Sequence, residues 1–406
     1  GTMRVSTVQT LAAYLDDEIT AMPNLITVGA AGTSSAVAGI PFYFGNDNSI
    51  YTHDVSGTDN QADQNTAYGI TAMDAITTGD DNTAIGNGAL SALNTGEQNV
   101  AVGRNALLSA TSDNYNVAIG SSAGRAIVGG GNNNTLIGIE SGRALTTGDN
   151  NVAVGSEALG TTSGATTESE NIAIGVSAMK SANLNGAEYN VAIGNYSQDA
   201  LTSGDENVSV GYHSMGGATT GKQNVAIGYT AMQSLTTGDD NIAIGRTAMR
   251  NGVVTGDKNI AIGSQAGDDI TSAENSVFVG NEAGAKVTTG VNNTAIGHQT
   301  YGQATAERDN VAVGCGSMGA AINGAEYNVA VGNFSFQRLI SGDNNVAIGY
   351  YAGNDLTTAN DNVFVGYHAA ENATTMAESV VIGMNAVGTG VATSGYNVAI
   401  GKEAAL

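Results

Sequence analysis

Four histidines, one cysteine, several acidic pairs and two sets of paired rings are the side chains of this chain with chemistry to offer. His53, His213, His298 and His368 lie too far apart to form a metal-ligand motif, and three of them closely follow a glycine that recurs along the chain. They are read as surface residues. Cys315 stands alone, so it forms no intrachain disulfide, and nothing beside it in sequence would activate a thiolate. Asp80-Asp81, Asp205-Glu206, Asp239-Asp240 and Asp268-Asp269 each place two carboxylates in a turn, where grouped oxygen ligands suit Ca²⁺. None follows an EF-hand or a nonapeptide calcium repeat, and the preferred reading is solvated residues that repel edge-to-edge association. Tyr212 and Tyr229 follow the recurring glycine in successive repeats, as do Tyr350 and Tyr367, while Tyr196, Phe334 and Tyr351 sit one place further on. Flat, polar-tipped rings suit a saccharide face or a protein partner. The competing reading is a plain stabilising ladder.

All of these residues hang on one frame, the five-residue stretch Asn-Val-Ala-Ile-Gly at 224–228 and its variants. Twenty copies run from Asn65–Gly69 to Asn397–Gly401, and thirteen of the nineteen intervals between them are 17 residues. A fixed period of this size means stacked repeats. Counted from the glycine, position −4 is Asn in eighteen copies, including Asn82, Asn99, Asn116, Asn151, Asn224, Asn241, Asn345 and Asn362, and Ser in two. Positions −3 and −1 are β-branched almost throughout and −2 is Ala in fifteen copies, which predicts a short strand that is apolar on both faces. Position +3 is always Ala, Ser or Thr, so a neighbour approaches closely there. The apolar +3, +4, +7 spacing fits a helical turn, yet +4 is Gly in five copies, leaving a short strand or a helical turn as the second limb.

One such repeat cannot bury enough apolar surface to fold, so neighbours must stack. The expected architecture is all-β, a parallel β-solenoid of about twenty 17-residue coils spanning residues 65–406, roughly 95 Å long at ~4.8 Å per strand. In register, the Asn residues at −4 form a hydrogen-bonded ladder along the axis. The second apolar strand face needs a cover, which identical rods supply, so a homo-oligomer is expected. Residues 1–64 lack the repeat and are read as a cap or attachment region, with an amphipathic helix marked by Val8, Leu11, Leu15, Ile19 and Met22 and strand-like runs at 25–28 and 42–44. A net charge of −24 argues against nucleic acid and anionic membrane surfaces as partners, and no run of eighteen or more apolar residues is available to span a membrane.

Asn-Val-Ala-Ile-Gly with a small residue at +3 resembles the head repeat of YadA-like trimeric autotransporter adhesins. The longer form with turns such as Thr146–Asn151 is similar to repeats of bacteriophage tail fibres. The resemblance covers about residues 65–406 and implies a left-handed parallel β-roll, trimeric, without a catalytic centre or a cofactor. It also implies a virion tail or extracellular location, with other tail proteins and a host-cell receptor or glycan as partners. The 17-residue period, and the lack of a coiled-coil stalk, export signal or anchor barrel, favour the fibre over a bacterial surface adhesin as expectations. The chain ends in mid-repeat at Leu406, which is read as a fragment or a domain boundary. An ice-binding solenoid is a remote alternative, since its flat threonine face is missing: Thr236-Thr237 and Thr288-Thr289 are adjacent in turns and diverge.

Overall fold

The computed structural model describes residues 35–37, 40–44, 49–52, 61–160, 167–181, 184, 186–387 and 395–405. The expected helix at 8–22, the run at 25–28 and His53 lie outside them. Among the described residues the chain is a β-solenoid without a helix. It packs as two compact units, Gly1–Asn151 and Val152–Leu406.

In the first unit β1 (Ser35–Val37) pairs antiparallel with β2 (Ile40–Phe44), and β2 pairs antiparallel with β3 (Ile50–Tyr51). From β3 the stack turns parallel, through β4 (Thr66–Tyr68) to β8 (Thr135–Ile137). The antiparallel strand beside β3 occupies an edge that would otherwise template association. In the second unit fifteen parallel strands run from β9 (Val152–Val154) to β23 (Val398–Ile400), each in register with the next so that −2 meets −2.

The register fixes which face is core. Ala84, Ala101, Ala226 and Ala243 at −2 are fully buried, while the β-branched pair points outward. The small residue faces in because +3, +4 and +7 of the same coil fill the interior: Ala89, Leu90 and Leu93 are all at zero exposure. Each fully buried Leu or Met there contributes about 1.5–3 kcal/mol.

The second limb is neither a strand nor a helical turn. Residues at +2 and +4 are left-handed, as at Asn105 (φ 59) and Leu107 (φ 47), and so is the residue at −5, as at Tyr115 (φ 61). Alternating hands put +3, +4 and +7 inward, the same set that a helix would bury. Left-handed L-residues cost roughly 1–2 kcal/mol each, and bonds to neighbouring coils offset this. The Leu90 N–H donates to the Ala106 carbonyl at 3.0 Å, and the Asn105 N–H reaches back to the Asn87 carbonyl at 2.9 Å. Both limbs are therefore hydrogen-bonded along the stack.

Core volume is shared between −2 and +4. Where −2 carries Phe278, +4 is Gly284 in the same coil and Gly267 in the coil before, and a Cβ on Gly284 would sit 2.2 Å from Phe278 Cδ1. Leu136 is likewise flanked by Gly124 and Gly142, each 2.8 Å from a Leu136 methyl by the same measure. Gly284→Leu alone is expected to cost about 3 kcal/mol through overpacking, and Phe278→Ala alone about 3–5 kcal/mol through the cavity it leaves. Together they recreate the pattern of Ala84 with Leu90, so a double-mutant cycle of chemical denaturation should show the pair costing well under the sum. Additive losses would contradict this packing.

Candidate functional site

Within each unit the Asn column is a continuous polar spine. Asn224 is buried; its N–H donates to Asn207 Oδ1 (3.0 Å), its Nδ2 to the carbonyls of Gly238 (2.8 Å) and Lys222 (2.9 Å), and its Oδ1 accepts the Asn241 N–H (2.9 Å). The same cross-coil bonds from one Asn N–H to the previous Oδ1 recur at Asn82, Asn99, Asn116, Asn151, Asn345 and Asn362. Where Ser276 replaces Asn, its Oγ donates to the Glu274 carbonyl and accepts the Asn293 N–H at 3.1 Å, so the acceptor is kept. The buried phenol of Tyr301 accepts from Asn310 Nδ2 at 2.9 Å, and burial pushes its pKa above the usual tyrosine range. These side chains hold coils together; each is occupied by its neighbours.

The rings form two surface columns in the second unit. Tyr212 and Tyr229 stack at 5.5 Å with planes 10° apart, and Tyr196 lies over His213 at 5.2 Å. The other column repeats this arrangement eight strands on: Tyr350 stacks on Tyr367 at 5.6 Å, Phe334 packs on Tyr351 at 5.1 Å, and Tyr351 lies over His368 at 5.3 Å. The coil spacing, slightly above ring thickness, brings successive rings face to face. Interior ring faces are thereby covered, so a ligand meets edges and hydroxyls along the column and an open face only at its end.

The acidic turns are structural participants. Asp80 Oδ1 accepts the Asp63 N–H (2.7 Å), Asp205 Oδ1 the Glu188 N–H (3.2 Å) and Asp239 Oδ1 the Lys222 N–H (2.7 Å). The second members, Asp81, Glu206 and Asp240, occupy the left-handed position at −5. Asp268 and Asp269 belong to the second limb, where Asp269 pairs with Lys286 at 2.9 Å. Burial raises the Asp268 carboxyl, opposed by Arg250 and reinforced by Asp269; burial also raises Asp199, opposed by His213. Among the described residues no group of three or more His, Cys, Asp or Glu is placed to hold a metal. Cys315 Sγ lies 4.0 Å from His298 Nδ1, beyond the reach at which an imidazole takes a thiol proton. Turn threonines spend their hydroxyls on the stack, as Thr219 does on the Thr236 carbonyl (3.0 Å) and Thr288 on the Thr305 carbonyl (3.1 Å).

The sequence reading missed a surface bowl of about 540 Å³ beside Phe334, at the start of the second ring column. Its signal was present in the repeat alignment: position +5, outward-facing and usually large, is small in three successive coils, at Ala285, Gly302 and Gly319. No protein-family model matches this chain, and no curated protein is similar to it.

Proposed function

We propose that the chain is the shaft of a trimeric, non-enzymatic attachment fibre of a tailed virus. The observation that carries this reading is the outward strand face. Ile193, Ile227, Ile262, Ile296 and Ile348 at −1 keep 37–43% of their surface exposed, and half-buried Val210, Ile244, Val279, Val313 and Val331 stand between them, so the column is aliphatic at every coil. Scattered apolar residues need no explanation, but a contiguous stripe marks an interaction surface. Its occupant must present apolar groups at the same spacing of about 4.8 Å, which another copy of this chain does. The repeat resemblance supplies the number three. Neighbouring shafts would bury the stripes against each other and leave the ring columns and polar turns for recognition, and threefold multiplicity raises avidity.

The acidic surface keeps such particles apart in solution, and the buried asparagines and the first carboxylates of the turns are engaged in holding coils. Gold-labelled antibody against the full chain is expected to decorate fibres projecting from tailed virions. Decoration of bacterial envelopes instead would favour the surface adhesin, and decoration of neither would overturn both attachment readings.

A further inference from the structure

The bowl is a gap in the side-chain columns of the second limb. Its floor is Gly302, Gly316, Gly319 and Ala320, and its walls include Gln299, Gln303, Gln337 and Phe334. Gly316 has φ +62, a conformation that Asn105, Tyr196 and Gln299 adopt at the same +2 position with full side chains. Its glycine is therefore not required by the backbone; what it removes is bulk. A Cβ there would meet only the Phe334 ring, 2.9 Å from Cδ1 and Cε1. At Gly302 a Cβ would make ordinary contacts of 3.4 Å with backbone oxygens, and the equivalent +5 position carries Leu108 elsewhere. A side chain fits at Gly302 and is missing, whereas a Cβ at Gly319 would stand 3.0 Å from the Gly316 carbonyl oxygen.

Phe334 is the first ring of its column. Tyr351 packs on one side at a tilt of 43°; on the other, the Gly316 backbone lies against the Cδ1–Cε1 edge, and the rest of the ring borders the bowl. A ring face beside primary amides is the combination that binds a sugar: the C–H face of a pyranose lies on the electron-rich ring, and amides pair with its hydroxyls. A cavity of this volume lies in the range of small-ligand sites. Charge selects among sugars. Asp268 and Glu282 balance Lys286 and Arg338 around the rim, Lys286 is paired with Asp269 and Arg338 with Asp355 at 3.1 Å, and the chain carries −24 overall. An anionic saccharide finds no uncommitted cation there.

We infer that the bowl framed by Gly302, Gly316, Gly319 and Phe334 binds a neutral pyranose residue of a linear glycan running along the solenoid axis. Gln299 and Gln303 stand on one coil and Gln337 two coils on, so a glycan lying along the stack meets amides at both ends of the bowl; Gln299 Nε2 donates to Glu282 at 2.8 Å, which leaves its oxygen to accept a sugar hydroxyl. The inference rests on the attachment reading only for the source of that glycan, a cell surface.

Calorimetric titration of the full chain with mannotriose, cellotriose and N-acetylchitotriose tests it. At least one is expected to bind, with affinity reduced at least about tenfold by Gly302→Leu, which fills the floor, and by Phe334→Ala, and unchanged by Tyr115→Ala, an exposed ring outside the bowl and both ring columns. If Phe334→Ala perturbs folding, Gly302→Leu carries the test, its thermal transition confirming the fold. No binding of any of the three, equal binding in Gly302→Leu, or equally tight binding of a hyaluronan oligomer overturns the proposal. Virion decoration would be untouched by such a failure, so the two readings fall separately.

Discussion

Replacing Gly245 by alanine is expected to cost about 4 kcal/mol and to open the solenoid around that coil. Two effects add. The backbone there has φ +142, which L-residues rarely adopt, and forcing a side chain into it costs of order 1–3 kcal/mol. The new Cβ would also stand 2.3 Å from the Gly263 carbonyl oxygen and 2.6 Å from its carbon, in a backbone that cannot step aside without losing the parallel register, for about 1–3 kcal/mol more. From Gly155 to Gly383 the following glycine fills the space that a Cβ would need, and only Gly401, the last of the column, has open space there. Gly302→Ala is the matched control: its backbone is not left-handed and its Cβ has room, so its effect should stay within about 0.5 kcal/mol. Equal effects of the two substitutions on thermal or urea unfolding would refute this role for the repeat glycine.

Asn224→Ala should be nearly as damaging, by about 3 kcal/mol, for a different reason. It strands the Asn241 N–H and the Gly238 carbonyl inside the stack, and each unsatisfied buried group costs about 1–3 kcal/mol. Asn224→Ser should recover part of the loss, because Ser276 shows that a hydroxyl at −4 can accept the next coil's N–H. Asn224→Asp should be worse than serine: the carboxylate cannot donate to Gly238 and faces Asn207 Oδ1 in a buried column. The order wild type, Ser, Ala in protection of the Asn241 amide from hydrogen exchange measures the effect at the bond itself. An alanine variant as protected as wild type would show that the ladder adds nothing.

Much of this was legible from residue types. Asn at −4, β-branched residues at −3 and −1 and Gly at the bend name a parallel stack, because only in-register coils make one position's chemistry repeat along an axis. The strand direction of Ala226 against Val225 and Ile227 followed from alternation, although which face was core depended on the filling by Ala231 and Met232. The second limb could not be read, since alternating right- and left-handed residues bury +3, +4 and +7 just as a helix does, and residues such as Leu90 and Met232 carry no mark of a left-handed backbone. The ring columns were visible as pairs, but not that stacking hides the interior faces of Tyr350 and Tyr351 and leaves Phe334 as the open end. The bowl needed the absence of side chains at Gly302 and Gly319 to be seen as a feature.

In the proposed trimer the aliphatic stripe on the outer strand face is covered by two further copies of the same chain. Sedimentation equilibrium of the full chain tests it most directly. A single species with three times the 40.6 kDa chain mass is expected, persisting on dilution because a long apolar interface dissociates slowly. A well-folded species at the mass of one chain, with its stripe left to water, would contradict it.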